Sequence, residues 1–470
     1  MLAFISINMY FMVEETYWFM LVPFVVVVIW GAFYYPDQVF LFLAFCTPLS
    51  LKVDLKDFGV SVDLPTEPLF LLLMCLFFLK IILDGRYDKK ILRHPLTIVI
   101  IINLLWILFT ACFSSMFVVS IKFFISKLWF AVVFYFIGTN VFMKFKNIRR
   151  YILLFSLSLL GVIIYALIRH AIAHWEQLYG NYAPHPFFAG HGDYAAAICL
   201  FVPFIGIFIF KPAVYRISPL GRFMLVLVLI IMLVGITMSF TRAAWIGMAV
   251  SLGVLFIMIL RLKWTTLTIF FLCLGAVAYV NRDDIYRKLE SNKKVSASNL
   301  KQHVESISNI STDVSNTERI NRWKSAYRMF KEHPILGWGP GTYMFKYASF
   351  QRSNEMTVIS TNTGNLGNAH SEYIGPLAEE GVLGSLSFIA IVIVSLIIGV
   401  RLSFHGISPF VRYTAGATIL GLITYYVHGL INNYLDTDKA AVPFYACMAI
   451  LLVLDIYYNK KENLSAAPSV

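Results

Sequence analysis

Residues 223–260 read FMLVLVLIIMLVGITMSFTRAAWIGMAVSLGVLFIMIL, two apolar runs separated at SFTR by a single charge, Arg242. A bilayer-crossing helix takes about 17–25 mostly apolar residues, and each run has that length. Backbone groups in hydrocarbon must bond within their own segment, so the runs are predicted to be helices. Working outward, similar runs recur near 17–34, 36–51, 67–83, 96–114, 119–141, 151–171, 190–210, 264–280, 382–400, 411–431 and 441–458. The chain of 470 residues is 59% hydrophobic and only 14% charged, with a mean hydropathy of +0.74. Soluble domains sit nearer half apolar and a quarter charged, so a soluble fold is excluded. The prediction is an all-α polytopic membrane protein with about 12–14 transmembrane helices.

The net charge of +12 would suggest nucleic acid in a soluble protein. Here the cations form short clusters between apolar runs, so no nucleic-acid partner is expected and the lipid bilayer is the partner. Arg86/Lys89/Lys90/Arg93, Lys144/Lys146/Arg149/Arg150, Lys211/Arg216/Arg222, Arg261/Lys263, Arg401 and Lys460/Lys461 fall on alternate sides of successive spans. All of them land on one face, the cytoplasmic one by the positive-inside rule. The loops at 172–190, 241–242, 281–381 and 432–440 then face outward. Six cysteines lie in apolar stretches without metal or redox spacing and read as small core residues. The opening MLAFISINMYFMV lacks a basic n-region and a cleavage site, so no secretory leader is expected.

The organisation expected is one integrated membrane domain: N-terminal transmembrane helices over 1–280, an outer loop or lid over 281–381, and C-terminal transmembrane helices over 382–470. Residues 281–370 carry 21 of the 64 charged residues. NKKVSASNLKQHVESISNISTDVSN is polar and Ser/Asn-rich. SNTERINRWKSAYRMFKEH reads as an amphipathic helix, with Ser315 and Glu318 at capping-box spacing. Ile320, Trp323, Tyr327 and Phe330 repeat at helical intervals, a stripe expected to pack on the bundle or on lipid. HPILGWGPG follows as a turn.

Arg242 is a cation on the outer side of a tight two-helix turn, where the positive-inside rule disfavours it. It is either a snorkelling anchor or a grip for an anionic phosphate. Arg319 and Arg322, on adjacent turns of the loop helix, are either a solvated basic face or a guanidinium pair for a diphosphate. Lys122 and Lys127 lie near the outer end of their span, as snorkelling groups or as contacts to a lipid phosphate. His370, in GNAHSEYIGPLAEEGVLG, is an outer-face imidazole near the carboxylates Glu372, Glu379 and Glu380, which could orient it. His191 and Asp193, in PHPFFAGHGDYAA beside His185, could line the same cavity, with no metal-ligand spacing. Nucleotide-binding, zinc and HExxH motifs are absent, and acidic residues and Lys are scarce at span centres. The first fact counts against an ATP-driven pump or an intramembrane metalloprotease, the second against an ion-coupled transporter.

Three segments resemble the O-antigen ligase/polymerase superfamily of bacterial envelope proteins. SFTRAAWIG resembles its Ser-Arg-Gly/Ala-x-x-x-Gly segment, with Thr241 where Ser is usual. RINRWKSAYRMFKEHPILGWGPGTY resembles its Arg…Trp…His-Pro-x-x-Gly-x-Gly-x-Gly stretch, ending at Gly341. NAHSEYIGPLAEEGVLG resembles its His-Asn/Ser-x-x-Leu…Glu-x-Gly-x-x-Gly, with Ile374 in the Leu place, Glu379 as the Glu, then Gly381 and Gly384. HGDYAAAICLFVP is similar to a segment of some members. The likeness spans roughly 185–400; the N-terminal third matches in hydropathy alone.

The resemblance implies a GT-C-like, metal-independent, inverting membrane glycosyltransferase of the bacterial inner membrane with a periplasmic active site and no cofactor. It would move a glycan from undecaprenyl diphosphate to a sugar hydroxyl, with lipid A-core as acceptor in a ligase. Arg242, Arg319 and His370 match the family's catalytic positions. Arg322, Lys122, Lys127, His191, Asp193 and Glu379 are the expected substrate-binding set. A polymerase extending the lipid-linked glycan and a protein O-glycosyltransferase share these motifs. A lipid-linked oligosaccharide transporter is the reading from another class, and it should show internal repeats.

Overall fold

The computed structural model describes residues 2–13, 22–55, 60–85, 87–261, 314–357, 360 and 367–459. It opens with α1 (Leu2–Val13), α2 (Val22–Tyr34) and α3 (Pro36–Cys46), the last extended by a 3-10 turn at Thr47–Leu49. A hairpin follows, β1 (Leu51–Leu55) and β2 (Val60–Leu64), paired antiparallel with Val53 opposite Val62. The spans then run α4 (Thr66–Asp84), α5 (Pro95–Cys112), α6 (Phe117–Phe142), α7 (Phe145–Ile172), α8 (His191–Phe210), α9 (Pro219–Met238) and α10 (Arg242–Leu260). After α11 (Val314–Glu332), the chain finishes with α12 (Gly381–His405), α13 (Pro409–His428) and α14 (Asp438–Tyr458). Among the described residues, nine helices are long and apolar enough to cross a membrane: α4 to α10, α12 and α14. Nine of the predicted spans match these helices to within about six residues, while the runs predicted at 17–34, 36–51 and 411–431 correspond to α2, α3 and α13, which are not among the nine. The run at 264–280 lies outside the described residues, as do the start of the first run and Lys460/Lys461.

Among the described residues the fold is all-α apart from the hairpin, which the sequence reading passed over. LKVDL and VSVDL alternate apolar and polar residues with period two, the strand signal. Its base is held by a buried cluster: Ser50 Oγ and Thr66 Oγ1 donate to Asp438 Oδ2 at 2.7 and 3.0 Å, and Lys439 Nζ lies 2.9 Å from Asp438 Oδ1.

α8, α13 and α14 form the centre and are buried along nearly their whole length. α13 packs between α8, α10 and α12. Its sequence, PFVRYTAGATILGLITYYVH, is less apolar than its neighbours' because protein, not lipid, surrounds it. Small residues allow close approach there: Gly421 sits against the Leu200 carbonyl of α8, and a Cβ on Gly247 of α10 would lie 2.7 Å from the Thr424 carbonyl oxygen. α9 and α10, at the rim, instead expose Leu227, Ile230, Leu233, Leu252 and Phe256, the apolar belt a bilayer would cover.

The bundle has two chemically distinct ends. At one, Lys144 Nζ meets Asp37 Oδ2 at 2.6 Å, Arg149 donates to the Tyr215 carbonyl at 2.7 Å, and His94 and Arg401 converge on Asp455 at 3.1 and 2.5 Å. The basic clusters around 93, 149, 216 and 401 therefore share this end. The turns at 113–116, 239–241 and 429–437 gather at the other, together with α11 and the segments 333–357 and 367–380.

α11 does not present its expected face. Ala326 and Met329 enter a small separate core with Tyr343, Tyr347, Ala369 and Ala378, and Glu318, Asn321 and Ser325 are buried beside them. Trp323 is half-buried and Tyr327 is exposed. A helix lying close against the stacked Tyr343–Tyr347 pair, whose ring centroids are 5.2 Å apart, needs Ala and Ser at the contact. Large side chains marked the stripe in the sequence; small ones make the interface.

Candidate active site

Three elements build the site at the end of the bundle that carries α11. The first joins α9 to α10. Ser239 closes α9, Phe240 takes a left-handed conformation (φ 51°), and Arg242 becomes the first residue of α10. Thr241 Oγ1 donates to the His191 carbonyl at 3.1 Å, so Arg242 is fixed beside the start of α8. That start is itself capped by Asp193, which accepts from the backbone N–H groups of Ala189, Gly190 and Tyr194 at 3.0–3.1 Å. Asp193 thus shapes the loop through its carboxylate, while His191 stands at the helix entrance.

The second element is α11, which carries Arg319 and Arg322 on one side. Glu318 pairs with Arg322 Nε at 2.9 Å and accepts from the hydroxyls of Thr357 (2.9 Å) and Ser360. Burial pushes the Glu318 carboxyl up, but these hydrogen bonds and the Arg322 charge outweigh it and hold the group below the usual carboxylate range. Arg322 also donates to the Asn368 carbonyl at 3.0 Å and lies over the Tyr347 ring. Arg319 Nη1 donates to Ser315 Oγ and Asn316 Oδ1 at 3.1 and 3.2 Å.

The third is the loop ahead of α12, where His370 adopts φ 50°. Its backbone N–H donates to Asn368 Oδ1 at 3.1 Å, and its carbonyl accepts the Trp323 indole N–H at 3.5 Å. Burial, then Arg322, then Arg319, push the imidazole down to about 3. His370 is therefore neutral at physiological pH, with a lone pair available for a proton. Arg319 also lies within electrostatic range of His428 and Tyr434, and His191 within range of His428.

The result is a set of electrostatic neighbours running from His191 through His428 to Arg319, His370 and Arg322, with Arg242 adjacent in sequence to Thr241, which bonds the His191 carbonyl. His428 was missed by sequence reasoning. It is the last residue of α13, it is buried, and neither ring nitrogen finds a hydrogen-bond partner among the described residues. Nothing in YYVHGL distinguishes it from a core histidine; only the tertiary neighbours do.

The remaining predicted residues lie apart or act differently. Lys127 reaches Asp436 Oδ1 at 2.9 Å and the Leu435 carbonyl at 3.0 Å, tying α6 to the turn after α13. Lys122 is exposed on α6. Glu379 Oε1 accepts the Tyr343 N–H at 2.9 Å, and burial pushes its carboxyl up to about 7. Glu372 Oε1 accepts from Tyr425 OH, Tyr434 N and Leu435 N at 2.6–2.9 Å. These carboxylates position loops around His370; the carboxylate whose field reaches the imidazole is Glu318.

The loop HPILGWGPG sews the cap to the bundle. Gly337, Gly339 and Gly341 all have positive φ. At Gly339 (φ 112°) a Cβ would run into the Ser114 side chain in the α5–α6 turn, so glycine is required by conformation and contact alike. The Trp338 carbonyl accepts from Ser115 N at 3.1 Å, the Pro340 carbonyl from Ser120 Oγ at 2.8 Å, and Gly339 N donates to the Glu379 carbonyl at 2.7 Å.

No curated protein matches the chain. The matching family model is the one described as O-antigen ligase, over residues 227–389. The matched stretch contains Arg242, Arg319, Arg322, His370 and Glu379 and leaves out Lys122, Lys127, His191 and Asp193. The match shows that this stretch of a multi-pass membrane protein is similar to the O-antigen ligase family and supports a glycan-transfer role in general.

Proposed function

We propose that the protein transfers a glycan from undecaprenyl diphosphate to a sugar hydroxyl at the periplasmic face of the bacterial inner membrane, as an O-antigen ligase using lipid A-core as acceptor. The observation that carries this reading is the convergence of neutral His370 with Arg319 and Arg322 at the end of the bundle away from the basic clusters. The acceptor oxygen attacks the anomeric carbon while the bond from that carbon to the diphosphate oxygen breaks. The electron pair leaves on the diphosphate and the hydroxyl proton passes to His370, so the anomeric configuration inverts. Arg242 and Arg319 offset the charge that develops on the leaving group, and no metal is needed for that task. Arg322, held by Glu318, positions the His370 loop through its bond to Asn368.

The test is transfer by purified protein in detergent, offered undecaprenyl-diphosphate glycan with lipid A-core or with further lipid-linked repeat, with and without EDTA. Label should move to lipid A-core unchanged by EDTA. His370→Ala should lower kcat by about 10²–10⁴, the usual worth of a general base. A ladder on the lipid carrier would make the protein a polymerase. Full transfer by His370→Ala would remove the general-base role, and EDTA sensitivity would remove the arginine-only account.

A further inference from the structure

The face of α11 turned away from its core lines a groove of about 420 Å³. Its walls are Trp323 and Tyr327 and four cations, Lys324, Arg328, Lys331 and Arg352. Among the described residues one carboxylate answers them: Glu355 lies 3.3 Å from Lys324 Nζ and 2.6 Å from Arg328 Nη2. Lys331 and Arg352 are exposed, with the Lys331 ammonium 4.8 Å from the centre of the Tyr327 ring. The groove therefore has a surplus of positive charge and two aromatic surfaces, Tyr327 being 51% exposed.

We infer that this groove binds an acidic saccharide segment, one carrying carboxylate or phosphate groups, on the acceptor side of the reaction. Flat indole and phenol faces suit the C–H faces of sugar rings, and the surrounding guanidinium and ammonium groups suit their anionic substituents. Position adds a second argument. Trp323 lines the groove and donates its indole N–H to the His370 carbonyl at 3.5 Å, so a chain lying along the groove is led toward His370. A lipid-facing surface would show an uninterrupted apolar row; here exposed Tyr327 is flanked by exposed Lys324 and Lys331. The assignment to the acceptor rests on the glycan-transfer reading.

Calorimetric titration of the full-length protein in detergent tests the groove directly, with no donor present. The probes are a galacturonic-acid hexasaccharide, maltohexaose as its neutral counterpart, and short-chain phosphatidylglycerol. The uronate should bind more tightly than maltohexaose and lose affinity as salt rises. The double variant Lys331→Ala/Arg352→Ala should weaken it by roughly tenfold or more, as expected for losing two charge-assisted contacts. Tyr327→Ala should weaken both saccharides, and Lys89→Ala, at the opposite end, neither. Equal binding of the two saccharides, or an unchanged affinity in the double variant, would overturn the inference. So would binding of phosphatidylglycerol alone, lost in the double variant, which would give the groove to lipid headgroups. Saccharide binding without any transfer would leave the groove standing and remove the transfer reading; transfer with a double variant of unaltered affinity would remove only the groove.

Discussion

Burial first, and then the positive charges of Arg322 and Arg319 in the same pocket, oppose protonation of His370 and push its imidazole down to about 3. A base that weak takes a proton poorly. A diphosphate held by the arginines would bring negative charge into the same field and raise the imidazole toward its ordinary range. The sign follows directly. With a lowered pKa, His370 charges only as the pH falls through that value, so the free enzyme should keep it neutral down to about pH 3. In the substrate complex the protonation should begin at a higher pH. The acid limb of kcat is therefore expected above that of kcat/KM, since the two report the complex and the free enzyme respectively. Coincident limbs in a pH–rate study would show that the anion does not share the field of His370. Arg319, Arg322 and His370 were singled out in the sequence by residue type, by helical spacing and by likeness to the superfamily's motifs. His428 and the clamping role of Glu372 were not, since each is defined by neighbours distant along the chain.

At the scale of elements, the cap is α11, the glycine loop and the helix turn at Gly375–Glu379 joined around three alanines, two tyrosines and Met329. Its weakest joint is Gly339. Substitution to Ala adds a Cβ that meets Ser114 at φ 112°, and a residue forced into such a conformation costs about 1–3 kcal/mol. Gly339→Ala is expected to loosen the cap while leaving the spans intact. Hydrogen–deuterium exchange should speed up in 314–346 and stay unchanged in α8 and α14; uniform protection throughout would contradict the docking described. The existence and limits of α11 were readable from its sequence, but its buried side was not. Hydrophobic periodicity weighs bulk, and this interface was decided by how closely a helix can approach two tyrosine rings.

For the whole molecule, the span pattern was the most legible feature, because a bilayer forces long apolar helices whatever their tertiary partners. What composition does not convey is which helix is central. α13 shows why: enclosed by α8, α10 and α12, it can carry Gly, Ala and Thr where a lipid-facing helix carries Leu and Ile. Gly421→Leu should therefore destabilise the bundle by roughly 1–3 kcal/mol through overpacking, read as a lower thermal midpoint in detergent. Gly206→Ala, where a Cβ meets nothing within 4 Å, should leave the midpoint in place. Loss of stability in both variants alike would deny α13 its enclosed position. The two chemically different ends make a further prediction. A cysteine replacing Lys324 should react with an impermeant maleimide in intact cells, and one replacing Lys146 only after permeabilisation. The reverse labelling would invert the topology.

The stitching of the glycine loop to Ser115, Ser120 and Glu379 has a consequence for traffic. A roof bonded to the ends of α5 and α6 cannot swing open without pulling on the spans beneath it. For the polyprenyl-linked donor proposed above, confined to the plane of the bilayer, the route to Arg319 and His370 would then be lateral, between helices, with its sugar end sliding under a ceiling that stays put.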